Sequence, residues 1–188
     1  REEARPDSDI DMVVILDRLE YGDLDRYRGA VEDLPERELL CGFVSGKTEL
    51  LAWEPAELFQ FYHDTRPILG DLEFLRPCFG REDAARAVRT GLCALYHSCV
   101  HNALDERDPA LLAGLFKMAL FTLKAKRYCE TGQYVKGHRE LAERLAGEER
   151  EVARRALALC GGETPDLDRD SELLFGWCGS QLRVWTVD

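Results

Sequence analysis

From Asp83 to the end of the chain, apolar residues recur at helical spacing almost without interruption, which commits the second half to packed helices. Asp83 to Asp105 reads as one amphipathic helix. Asp108-Pro109 then supplies an N-cap and an N1 proline for a second, which runs to Thr131 with Gly132 as the natural C′ residue. "HRELAERLAG", "EEREVARRALALCGG" and "SELLFGWCGSQLRVW" predict three more helices, each bounded by glycine or an acidic first turn. Four or five helices of this length with short connections form a bundle, so an all-α bundle is expected over 81–188.

The first 75 residues read differently. "MVVIL", "LLCGFV" and "LFQFY" are short strand-like runs separated by turn or helix segments such as "DLDRYRGAVEDL", which predicts an α+β unit over 1–75. The change falls at residues 76–80, with Pro77 and Gly80, and 188 residues suffice for one substantial core or two small ones.

Charge divides at the same place. Residues 1–75 hold 19 Asp+Glu against 8 Lys+Arg, whereas 76–188 hold 17 of each, so the whole formal net charge of -11 lies in the first part. An acidic unit argues against docking nucleic acid through its phosphates and favours a metal cation or a cationic ligand, although acidic surface also serves solubility. No apolar run approaches the roughly 18 residues of a membrane span. Seven cysteines, an odd number with no Cys-x-x-Cys pair and mostly inside apolar segments, read as reduced core residues of a cytoplasmic protein.

The stretch "PDSDIDMVVILD", residues 6–17, runs three aspartates into the first strand. In a strand, Asp9 and Asp11 share a face while Ile10 points to the other, which puts the two carboxylates about 6–7 Å apart at roughly 3.3 Å per residue. That spacing lets both give oxygens to one Mg²⁺, or to two ions about 3.5–4 Å apart. Carboxylates this close repel unless a cation offsets them, whereas a solvated turn is the simpler use of Asp7 and Ser8.

Pro-Asp-Ser-Asp-Ile-Asp followed by an apolar run resembles the Ser-Asp-hydrophobic-Asp signature of the nucleotidyltransferase superfamily, which includes DNA polymerase β and kanamycin nucleotidyltransferase. "LFKMALFTLKAKRYCETGQYVKGHRELAERL", residues 115–145, resembles the HEPN-like or substrate-binding helical domain that follows this catalytic module in many bacterial members. The resemblance implies a mixed nucleotidyltransferase sheet with flanking helices, then the bundle. It further implies Mg²⁺-dependent transfer of a nucleoside monophosphate from an NTP, by default ATP, to a hydroxyl acceptor with release of pyrophosphate. Asp9 and Asp11 carry over as catalytic metal ligands, and Ser8 as a triphosphate contact.

The family adds a third carboxylate on a neighbouring strand. Glu57 in "AELFQFYHDTRP" is the choice, followed by Asp64 and Glu49. Lys117, embedded in "LLAGLFKMALF", is a candidate to face the triphosphate, ahead of Lys124 and Lys126 on the same helix. Family members also carry a Gly-Ser before the Asp pair; here "REEARP" stands before it, so an N-terminal piece carrying that motif is expected to be missing from the sequence. His97 and His101, at i and i+4 with Cys93 and Cys99 nearby, read as interface histidines, as a substrate contact or as half of a zinc site. Arg89 and His97 are too far apart for the HEPN ribonuclease pattern. An acidic cleft suits a cationic small-molecule acceptor, a protein acceptor shares the same pattern, and homodimerisation is left open. The competing expectation is a degenerate, non-catalytic module of the antitoxin type.

Overall fold

The computed structural model describes residues 9–185, which form two compact units, one up to Glu54 and the other from Pro55 onward. The first is a βαβ unit: β1 (Ile10–Leu16), α1 (Tyr21–Val31), β2 (Leu40–Gly46) and the short α2 (Lys47–Leu51). β1 and β2 pair in parallel, from Ile10 opposite Leu40 to Leu16 opposite Gly46. Parallel neighbours cannot be joined by a hairpin, and α1 supplies the crossover. Its start is fixed by Asp23, whose carboxylate accepts the Glu20 N–H at 2.9 Å. Gly42 lets α1 lie close on the sheet, since a Cβ there would stand 1.8 Å from Tyr27 Oη. Among the described residues, Val31 and Leu50 are the buried large apolar side chains of this small core.

The second unit holds α3 (Pro55–Asp64), a 3-10 turn (Glu73–Cys78), α4 (Arg81–His101), α5 (Pro109–Thr131), α6 (His138–Arg144), α7 (Gly147–Cys160) and α8 (Leu167–Val184). α5 runs through the middle, packed on α4, α7 and α8, and its Leu112, Phe116, Leu120 and Leu123 are fully buried with Leu92 and Leu95 of α4, Val152 of α7 and Trp177 of α8. The expected caps of α5 are present. Asp108 accepts the Ala110 N–H at 2.8 Å, Pro109 follows, and Gly132 ends the helix at φ 71°. Buried Asn102 fastens the α4–α5 connection by exchanging two hydrogen bonds with the Asp108 backbone, at 2.9 and 3.1 Å. Gly91 permits close approach of α4 to α5, because a Cβ there would lie 2.5 Å from Thr122 Oγ1.

The mixed α+β class and the predominantly helical second part agree with the sequence. Two expectations need correction. "LFQFY" is not a strand but lies in α3: adjacent Leu58 and Phe59 are both fully buried, which a half-buried strand with alternating faces cannot achieve, and Pro55 favours a helix start. Among the described residues the sheet therefore has two strands. The second correction concerns the boundary, which falls at Glu54–Pro55 rather than at 76–80. Contacts explain it: α3 packs on α4, Tyr62 Oη donates to Glu73 at 2.8 Å, and Phe59 meets Phe79 edge to face, so 55–80 belongs with the helices. No described helix is long and apolar enough to cross a membrane. The cysteines are all free, but only Cys99, Cys129 and Cys178 are buried, and Cys41 and Cys93 are exposed.

Candidate functional site

Asp9 immediately precedes β1 and Asp11 is its second residue, so the two flank Ile10 at the N-terminal lip of the sheet, and both are exposed. β1 starts there because Met12–Leu16 is an apolar run that pairs along its length with β2. The parallel register sets Cys41 beside Asp11, so this strand neighbour brings a thiol, not a carboxylate. Mg²⁺ commonly binds through one or two carboxylates and completes its shell with water and substrate phosphates, so two solvent-facing aspartates are a sufficient protein contribution.

The other expected site residues lie on several elements of the two units. Ser8, with Asp7 and the preceding "REEARP", lies outside the described residues. Glu57 is exposed in the first turn of α3, on a helix of the second unit rather than on a strand beside Asp11. Glu49 is in the first turn of α2, with Oε2 only 2.0 Å from where a Cβ on Gly46 would stand. Gly46 pairs with Leu16 at the far end of the sheet, six residues and roughly 20 Å along β1 from Ile10. Asp64 has both oxygens engaged, Oδ1 by Lys124 Nζ at 2.8 Å and Oδ2 by Tyr134 Oη at 2.7 Å. Lys117 is exposed. Lys124, two turns further on the same face of α5, is the lysine that is fully buried.

Around Lys124 lies a constellation the sequence did not announce. Its ammonium stands over the Phe121 ring at 5.1 Å and the Tyr134 ring at 6.0 Å. Tyr134 stacks on His63 with centroids 4.5 Å apart, and Phe59, Tyr62, Phe79 and Tyr128 surround that imidazole. Burial, together with the positive charge of Lys136 and Arg76, pushes the His63 pKa down to about 4 against a weaker opposing pull from Asp64. His63 is therefore neutral at pH 7, and its Nε2 makes no hydrogen bond among the described residues. The only advance signal was a lysine in the apolar frame "FTLKAKRY"; its partner is 60 residues away.

His97 and His101 are exposed and stack on each other at 6.4 Å, and His101 Nδ1 lies 2.9 Å from Asp105 Oδ2. Among the described residues no three His, Cys, Asp or Glu side chains converge as a metal site. The chain matches no protein-family model, and no curated protein or solved structure is significantly similar to it.

Proposed function

We propose that the chain is a metal-dependent nucleotidyltransferase that moves a nucleoside monophosphate from an NTP, by default ATP, to a hydroxyl of a small molecule or protein, with pyrophosphate leaving. The observation that carries this reading is the pair Asp9 and Asp11, both exposed and flanking one residue at the start of a parallel strand. Asp9 and Asp11 are the residues that would hold Mg²⁺, which would neutralise charge on the phosphate oxygens of the donor. Ser8 precedes Asp9 in the motif and is the proposed triphosphate contact, and exposed Lys117 is accessible to an anionic donor. The role proposed for Glu57 rests on the resemblance alone, because the strand that would have placed it beside the pair is a helix. A cationic acceptor suits the acidic first part of the chain.

One observation favours the competing reading of a non-catalytic nucleotide-binding or regulatory module: the residue opposite Asp11 is Cys41, so β2 gives the pair no third carboxylate. A thermal-shift titration with ATP and Mg²⁺ on the protein, Asp9→Asn and Asp11→Asn, followed by transfer from α-labelled ATP to a panel of acceptors, separates the two. A magnesium-dependent shift lost in both variants, with label transferred, is the expected result. A shift without transfer to any acceptor favours the binding module, and no shift in the full-length protein overturns both.

A further inference from the structure

Four arginines line one cleft of the helical unit. Arg150, Arg154 and Arg155 of α7 face Arg169 of α8 across an open cleft of about 450 Å³, with Glu151 and Asp170 as the carboxylates in its lining. Four cations against two anions make this a local positive excess on a chain of formal net charge -11.

The arginines are not equally neutralised. Asp170 is buried and receives Arg155 in a two-pronged pair, Nε at 2.8 Å and Nη2 at 2.7 Å, together with the Asp166 N–H at 2.9 Å. Arg155 also reaches Glu163 at 2.7 Å, so its charge is matched and its position fixed. Arg150 is held by the carbonyls of Leu145, at 2.5 Å, and Glu143, at 3.5 Å, which orient a guanidinium without cancelling its charge. Arg154 and Arg169 make no side-chain hydrogen bond or ion pair among the described residues, and Glu151 is exposed. Arg150, Arg154 and Arg169 thus bring three positive charges to the cleft against the one negative charge of Glu151, and an anion seated among them offsets the excess.

We propose that this cleft binds a small molecule carrying a multiply charged phosphate group, a pyrophosphate or a di- or triphosphate ester. The planar fork of arginine matches phosphate oxygens two at a time, and three cations exceed what a monocarboxylate can balance. The cleft's volume lies in the range of small-molecule sites, and Ala158 and Leu173 give it an apolar wall against which charge interactions are less screened. The site shares no residue with Asp9 and Asp11 and needs no metal, so it stands or falls apart from the nucleotidyl-transfer reading.

Calorimetric titration of the full chain with sodium pyrophosphate in EDTA tests it, since chelation removes any metal-dependent binding at the aspartates. Saturable binding is expected, weakened at least about fivefold in Arg154→Ala and in Arg169→Ala and tightened about threefold in Glu151→Gln. Both arginine variants should keep the parent Tm, because neither side chain has a partner to lose. ADP in place of pyrophosphate identifies the source: tighter binding of ADP points to a nucleotide, and weaker binding to free polyphosphate. Absence of saturation up to about 10 mM, equal binding of citrate, or affinity unmoved in both arginine variants overturns the proposal.

Discussion

Lys124 Nζ lies 2.8 Å from Asp64 Oδ1, and while the lysine side chain is wholly shielded from solvent, the aspartate keeps 15% of its side chain exposed. The two ends of this pair are therefore unequal. Asp64→Asn takes the carboxylate charge away from a fully buried ammonium and should cost about 3 kcal/mol or more. Lys124→Met leaves a carboxylate that still touches water and still accepts from Tyr134, and should cost less, about 1–2 kcal/mol. The double variant should recover much of the Asp64→Asn loss. Urea unfolding of all four proteins gives the coupling energy, and equal costs for the two single variants would contradict this asymmetry.

His63 ties stability to pH in a definite direction. Its pKa in the folded state, about 4, lies below the ordinary 6.5, so between these values the unfolded chain binds more protons. Stability then falls as pH drops from 6.5 towards 4 and levels off below. A shift of that size corresponds to roughly 3 kcal/mol, which solvent screening of a half-buried ring reduces to about 1–2 kcal/mol. His63→Phe preserves the stack on Tyr134 and should remove this part of the slope, seen as a converging difference between the two proteins as pH rises towards 7. Its ring resonances should titrate near pH 4, and a midpoint near 6.5 would refute the burial argument.

These two interactions mark where local sequence stops being informative. α5 was legible because its beginning, Asp108-Pro109, and its end, Thr131-Gly132, are set by neighbours in the chain. β1 and β2 were legible because their apolar runs are short and bounded by turn residues. α3 was not, since "LFQFY" alone suits a buried strand or a buried helix, and burial of both Leu58 and Phe59 depends on α4, α5 and Phe79. The Lys124–Asp64 pair joins α5 to the end of α3, and no spacing rule anticipates a contact over 60 residues. Asp9 and Asp11 were legible as a pair at a strand start, but what stands beside Asp11 was not, because that required the strand register, which puts Cys41 there.

Gly42 and Tyr27 make a close contact between β2 and α1. Any side chain at 42 meets the tyrosine, with a Cβ 1.8 Å from Oη and 2.7 Å from Cζ, so Gly42→Ala should cost about 1–3 kcal/mol by displacing the ring. Tyr27 Oη is buried without a hydrogen bond among the described residues, so Tyr27→Phe should be neutral or stabilise by up to about 1 kcal/mol. The combined variant should lose less than the sum, as expected of groups in contact. Additive effects in denaturant unfolding would mean that α1 does not rest on Gly42.

Two exposed carboxylates flanking Ile10 gain nothing from each other, and among the described residues neither is held in an ion pair, so their proximity is a repulsion that folding must tolerate. In EDTA, Asp9→Asn and Asp11→Asn should each leave Tm unchanged or slightly raised. With ATP and Mg²⁺ the order should reverse, the parent gaining a magnesium-dependent stabilisation by mass action that both variants lack. Such a crossing separates residues kept for ligand binding from residues kept for folding. If both substitutions lower Tm in EDTA, the pair is a structural element of the strand entry, and the proposed triphosphate site loses its support.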